Sequence, residues 1–592
     1  MKRMKSRSWL LLITFVVLIY STSTAQDRNS IRTIVPENTL SADEIKFADH
    51  ILKDGFSKDH WFTELSFNPE EAELVLNLPD GEAGTWSNER TRQHGNGLYS
   101  WRGRTADGLG SATLVYNHGM ITGYVTVNPR LTYRIQPVSK TRHIIYRVNQ
   151  QKRVKEESQE NYDKMSSRVW VPSEDLHAPE SRQEESSEMK MTGNDCYIRI
   201  LVGFDAVAGP SLADPIGFAL ECVELSNTIY AQSQINFEAE LAFATIYSDA
   251  ASEDIDDALA QWELDFDNGF DDVFSDREQY DADFCILITE NFDGDYVGLA
   301  ATIGASYSSA FCVVEDGAAI DNLSFTHEIG HLMGARHDTY VDGSGDYNHG
   351  YIIHSEEVRT VMAYNDACED KGYDCDRVQY FSNPDLDFPG TSKPLGDADD
   401  AHNERALDEN ESDFDDFEPI VSDKSFPFPE TISGTTYGSV TALNTIHNIS
   451  LYTISGGAHG VWSAGVELHL DEGFEVISGS EFEGKIAGCN ANKMGDAANS
   501  TSTSPEAGFM LTVFPDPSST DVNLQFTLQE AGTVRGFLYD LSGRNLLSLV
   551  NSKMDAGTHQ LSIDVRQIPS GTYLCTITTG HYSEVKKLVV QH

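Results

Sequence analysis

From Thr326 to Asp338 the chain reads Thr-His-Glu-Ile-Gly-His-Leu-Met-Gly-Ala-Arg-His-Asp, placing three histidines and a glutamate at spacings that few backbones satisfy together. His327 and His331 are four residues apart, so on a helix they project from one face, one turn above the other, and can reach one ion. Glu328 follows the first histidine on the flank of that face, where it can bind a metal-held water without coordinating the metal itself. Gly334 lacks a Cβ and can take the left-handed conformation that ends a helix, turning the chain back so that His337 supplies a third ligand. The fourth coordination position stays open for water, as catalytic zinc sites require. A surface helix with incidental histidines is the competing reading.

Downstream, Thr360-Val361-Met362-Ala363-Tyr364 places a methionine where it can form an apolar floor under three imidazoles. The two segments together resemble the metzincin zinc metalloproteases. Asp338 after the third histidine is similar to the reprolysin or adamalysin branch, whereas the Met-x-Tyr of Met362 and Tyr364 resembles the turn of astacins and serralysins. The resemblance implies that His327, His331 and His337 hold Zn2+ and that Glu328 is the catalytic base. It also implies a catalytic role for Tyr364, as a hydrogen-bond donor to the tetrahedral oxyanion or as an extra zinc ligand. A tyrosine packed under the site with its hydroxyl satisfied elsewhere is the alternative. Asp338 is expected to bond nearby backbone and stabilise the turn; a plain surface aspartate is its alternative.

The chain has 592 residues, too many for one core, so several domains are expected. It carries 42 basic and 93 acidic residues, a formal net charge of −51, which excludes the basic surface that nucleic acid needs. Lys2, Arg3, Lys5 and Arg7 precede an apolar run from Trp9 to Tyr20 and then Ser23-Thr24-Ala25, which reads as a signal peptide over residues 1–25. No later segment of the sequence is long and apolar enough to span a bilayer. No cysteine follows Ala25 directly, which argues against a lipid anchor. All eight cysteines lie beyond residue 195, and export makes disulfides plausible. Cys368 and Cys375 bracket a short loop and are the expected pair. Cys196, Cys222, Cys285 and Cys312 leave three connectivities open.

Residues 26–190 contain no cysteine. From Gly97 through Tyr146 apolar and polar residues alternate between Gly and Asn-His-Gly turns, the pattern of a β-meander. This stretch resembles the propeptide of reprolysin-like proteases; a folded accessory domain that is never removed is the alternative. Without a thiol, such a propeptide must silence a zinc site by another ligand or by steric blocking. Between Gln150 and Met191 the chain becomes charged and Ser-rich, which reads as an exposed linker where activation cleavage would fall.

The catalytic domain is expected over residues 191–418: a strand at Tyr197 to Val202, a helix around Pro215 to Gln232 with an imperfect apolar stripe, a strand at Phe237 to Ile246, and an acidic helix from Ile255 to Phe274. A buried strand follows at Phe284 to Ile288, and Asn403 to Leu407 reads as helical. Alternating elements imply α/β layers. By the resemblance, Gly298-Leu299-Ala300-Ala301 through Val314 holds the edge strand above the cleft, able to pair with an extended substrate. Acidic clusters at Asp338, Asp342 and Asp346, and at Asp397, Asp399 and Asp400, could hold Ca2+, with solvated loops the default.

Short β-type runs over residues 429–498 resemble a small β-rich stalk of exported Bacteroidetes proteins, and a Ser/Thr-rich linker, Asn499 to Ser504, follows. Residues 509–592 carry Val513-Phe514-Pro515-Asp516-Pro517, Leu538 to Arg544, Ala556 to His559, Ile568 to Tyr573 and Lys586 to Val590. This ordered set is similar to the sorting domain of type IX secretion, an immunoglobulin-like β-sandwich. The whole reads as a multidomain chain: β-rich propeptide, α/β metzincin domain with a twisted sheet and zinc helix, β-rich stalk and terminal sandwich. Its expected function is a secreted or cell-surface zinc endopeptidase acting on proteins or peptides and exported by the type IX machinery. The alternative is a surface adhesin or binding protein built on a metzincin scaffold.

Overall fold

The structure is a computed structural model that describes residues 30–167, 197–486 and 512–591, apart from short stretches within them. The expected signal peptide, Cys196, Cys489 and the linker Asn499 to Ser504 lie outside the described residues, as do Pro515 to Pro517 and Leu541 to Arg544 of the terminal motifs.

The alternation read from Gly97 to Tyr146 belongs to a larger sheet of nine antiparallel strands. Seven of them, from Glu73–Asn77 to His143–Val148, run as a meander, and Ser57–Ser66 and Ser30–Ile34 extend it. Both faces of this sheet are buried, so its strands divide their side chains between two cores. Ile144 and Tyr146 join the large core shared with the rest of the molecule, while Ile145 between them joins Trp86, Trp101, Leu114, Tyr133 and Ile135 on the other face.

His143 opens the last strand, fully buried, with its Nε2 accepting the Ile121 backbone N–H at 3.0 Å. Burial pushes it down to about 3. Its folded pKa thus lies below its unfolded one, so the unfolded chain takes a proton that the native chain refuses, and stability falls as pH drops from about 6.5 toward 3. At pH 5 this amounts to about 2 kcal/mol. His143→Gln, which keeps an acceptor, should flatten that part of the urea-midpoint profile between pH 7.5 and 4.5; a profile unchanged by the substitution would refute the assignment.

The sheet of the expected catalytic domain is built from Ile198–Phe204, Ala239–Ile246, Phe284–Thr289 and Phe311–Glu315, all parallel, with Gly298–Ala300 antiparallel at the edge. Pro215–Ser233 is a helix whose N-cap, Asp214, accepts from Gly217 N–H. Its weak apolar stripe has a structural reason. The catalytic sheet covers one side and the nine-stranded sheet the other, so Glu221, Glu224, Ser226 and Asn227 are buried as well as its apolar residues. The expected helix from Ile255 to Phe274 is corrected: Ile255–Glu263 and Asp272–Gln279 are separate helices.

Two expectations for the C-terminal half change. The β-rich region begins at Asp423, not 429, and is a three-coil solenoid. Parallel strands starting at Asp423, Thr445 and Glu467 stack on one face, so the chain completes one coil per 22 residues. A second face stacks Glu430–Ser433, Tyr452–Ser455 and Phe474–Val476. The third face continues the catalytic sheet, because Thr436–Ala442 pairs antiparallel with Ala239–Ile246. It is therefore fused to the catalytic unit and is no free stalk. The last unit has three- and four-stranded antiparallel sheets around one core that includes Val522, Leu524, Leu538, Cys575 and Leu588. Cys368 and Cys375 form the expected disulfide, whereas Cys222, Cys285, Cys312 and Cys575 are buried thiols. Among the described residues no helix is long and apolar enough to cross a membrane.

Candidate active site

The helix Ser324–Leu332 carries His327 and His331 on one face, and Gly334 leaves it at φ +96°, as the sequence requires. His337 then returns so that its Nε2 lies 3.1 Å from Nε2 of both His327 and His331. The other ring nitrogens are committed: His327 Nδ1–H donates to Val361 O at 2.9 Å and His331 Nδ1–H to Ala335 O at 2.8 Å. Lone pairs of at least two imidazoles therefore converge with His337 on one point. Burial holds these rings neutral, with neighbouring imidazoles adding to it at His327 and His331: His331 and His337 are pushed down to about 4 and His327 well below its usual value. Such a convergence repels itself unless a cation lies in the middle. Ligand bonds of about 2.0–2.1 Å in a tetrahedron set donor atoms roughly 3.3 Å apart, close to the spacing found. The donor set fits zinc.

Two glycines make room for this centre. A Cβ on Gly330 would fall 2.7 Å from Sδ of Met362, which is fully buried under the helix. A Cβ on Gly298 of the edge strand would fall 2.6 Å from Oε1 of Glu328. Glu328 is thus packed between helix and edge strand, and burial, then Glu157 and Glu156, raises its carboxyl well above the usual range. Asp338 bonds backbone, as expected: its Oδ2 accepts Tyr364 N–H at 2.8 Å and its Oδ1 accepts Tyr340 N–H at 3.1 Å. It ties the third-histidine turn to the methionine turn. Asp342 accepts from Arg336 and from the Tyr162 hydroxyl. Among the described residues, neither acidic cluster brings three ligand atoms within 4.8 Å of one another.

The sequence reading missed what fills the cleft. Residues 155–167, expected as part of an exposed linker, are ordered and their key side chains are buried. Glu157 is buried beside the histidines, its Oε1 at 3.1 Å from His337 Nε2 and 3.8 Å from His331 Nε2, completing a four-residue ligand group. The Tyr364 hydroxyl donates to its Oε2 at 3.0 Å. Gly298 N–H donates to Glu156 O at 3.0 Å, so the segment lies along the edge strand where a substrate was expected. The helix Gln159–Ser167 follows and stacks Tyr162 on His337, ring centroids 4.1 Å apart. The available signal was the spacing of Tyr162 and Met165, both buried on one helical face within a run otherwise charged. His349 was also missed; its Nδ1–H donates to His337 O at 2.7 Å and fixes that turn.

Comparison with known proteins agrees with this geometry. The pattern of metallo-peptidase family M12 matches residues 212–382. A peptidyl-Asp metalloendopeptidase of Xanthomonas campestris pv. campestris is 31% identical over 313 residues, spanning 52% of this chain and 70% of that protein. The chain belongs to metallopeptidase family M12. A second peptidyl-Asp metalloendopeptidase, from Stenotrophomonas maltophilia, is 31% identical over 306 residues, 50% of this chain and 68% of its own length. The M12 chain is a metalloendopeptidase, and membership implies a metal, typically zinc, and protein substrates. A secretion system C-terminal sorting domain matches residues 512–591, which supports export to the medium or the cell surface.

Proposed function

We propose that the chain is a zinc-dependent endopeptidase, synthesised latent and activated by loss of its N-terminal unit. The convergence of His327, His331 and His337 beside a buried Glu328 supports this reading most strongly. Zinc, when bound by the three histidines, polarises the scissile carbonyl and makes water a nucleophile at neutral pH. Glu328 accepts the proton of the attacking water and passes it to the leaving amine nitrogen. The edge strand Gly298–Ala300 holds substrate backbone in extended form, using the N–H of Gly298 that now binds Glu156. Tyr364, released from Glu157, turns its hydroxyl to the developing oxyanion.

In this reading residues 1–25 are a signal peptide, 26–190 a propeptide with its cleavable linker, 191–418 the catalytic domain, and 509–592 an immunoglobulin-like sorting domain. Latency comes from Glu157, whose carboxylate takes the position beside the histidines that water needs. No thiol is required. Docking of the propeptide rests on a buried network: Arg134 lies 2.8 Å from Glu221 and 3.3 Å from Asp321, and the Tyr146 hydroxyl donates to Asp321. Arg134→Ala strands two buried carboxylates and should weaken docking by about 3–5 kcal/mol. After cleavage in the linker, the propeptide of this variant should dissociate from the catalytic unit at a concentration at least about 10²-fold higher than the wild-type fragment does, read by analytical ultracentrifugation; equal dissociation would contradict the account.

A further inference from the structure

Away from the histidine centre, a second group of metal-ligating side chains joins the nine-stranded N-terminal unit to the solenoid. His118, His459 and Glu481 are partly buried, and each brings one ligand atom within 4.8 Å of the others. His118 Nε2 lies 3.2 Å from Glu481 Oε2, and His459 Nδ1 lies 3.6 Å from the same oxygen. Among the described residues His459 Nδ1 is a buried atom with no hydrogen-bond partner, a state that a bound cation relieves. Two imidazoles and a carboxylate suit Zn2+ or a similar divalent transition ion, whereas Ca2+ and Mg2+ take oxygen shells. The spacings found are close to the roughly 3.3 Å that separates donor atoms around tetrahedral zinc.

The solenoid supplies two of the ligands by repetition. Its strands His459–Ala464 and Glu481–Ile486 run parallel with His459 directly beside Glu481, so the two side chains leave the sheet on one side, about 4.8 Å apart. The third ligand comes from the hairpin turn Asn117-His118-Gly119, where His118 takes φ +49° and its ring lies over Gly97, at which a Cβ would overlap it. Bonds nearby hold the two units in this relation: the Tyr437 hydroxyl donates to His94 O at 3.1 Å and Gln93 Nε2 to Glu483 Oε2 at 3.1 Å. We infer that His118, His459 and Glu481 form a second metal site, of the zinc class, that clamps the N-terminal unit to the solenoid. Apart, the solenoid keeps two ligands and the N-terminal unit one, so the ion favours the docked state and by linkage tightens it. The site shares no residue with the histidine centre and does not depend on the endopeptidase reading.

The test is equilibrium dialysis of the intact chain against Zn2+, comparing wild type with His118→Asn and His459→Ala. Asparagine tolerates the left-handed turn at residue 118 but offers no imidazole. Wild type should bind about one equivalent more than either variant. After cleavage in the linker, Zn2+ at about ten times the Kd of this site should tighten retention of the N-terminal fragment about tenfold more in wild type than in His118→Asn, read by analytical ultracentrifugation. The histidine centre is intact in both proteins, so its own response to zinc cancels in that comparison. Equal zinc uptake by wild type and His118→Asn overturns the site. An equivalent lost in the variant with the same zinc dependence of dissociation as wild type overturns the clamp. His118→Asn decides the matter even where His459→Ala does not fold.

Discussion

Glu328→Ala is expected to keep its metal and its fold and to lose peptide hydrolysis by about 10²–10⁴-fold. The carboxylate is buried against Gly298, one residue after His327. The ligand group does not include it. Truncation therefore leaves three imidazoles and their Nδ1 bonds to Val361 and Ala335 in place. Among the described residues Glu157 is the carboxylate grouped with the three histidines, and it leaves with the propeptide in this account, so it does not remain to replace the base. Metal content by mass spectrometry should match wild type. Hydrolysis at the wild-type rate would remove Glu328 from the mechanism.

Glu157→Ala should have the opposite sign, switching on a chain that has not been processed. With the carboxylate gone, the position beside His331 and His337 opens to water and Tyr364 loses its acceptor. Each 1.4 kcal/mol contributed by the lost contact corresponds to about tenfold in the open population, so activity of the uncleaved chain should rise at least about tenfold. Glu156 is still held by Arg377 and Asn322, and the double variant Glu156→Gln/Glu157→Ala should therefore rise further. X-ray absorption of the zinc-loaded uncleaved protein gives a readout separate from turnover: one carboxylate oxygen should be lost from the ligand shell in the variant. An unchanged ligand shell and continued latency would mean that the propeptide blocks the cleft only by bulk.

The convergence of the three histidines was legible because its constraint is local. A helix period, a glycine able to turn left-handed and a third histidine suffice, and the structure brings those residues together as expected. Asp338 and the Cys368–Cys375 pair were legible for the same reason, each acting within a short stretch. Glu156 and Glu157 were not, since nothing local distinguishes them from other acids in a charged run; their meaning comes from Arg377, Asn322 and Tyr364, more than 150 residues away. The solenoid hid for a different reason. Its 22-residue period, seen in Ile432-Ser433-Gly434 and Ile454-Ser455-Gly456, is too short-lived over three coils to stand out among other short β runs.

The central claim, a zinc endopeptidase held shut by its own N-terminal segment, is tested most directly by assaying one preparation before and after linker cleavage, with and without chelator. The account predicts no casein hydrolysis by the intact chain and hydrolysis by the cleaved chain freed of its propeptide. Chelator should abolish that activity and added Zn2+ restore it. Hydrolysis that survives metal removal, or an intact chain as active as the processed one, would contradict it.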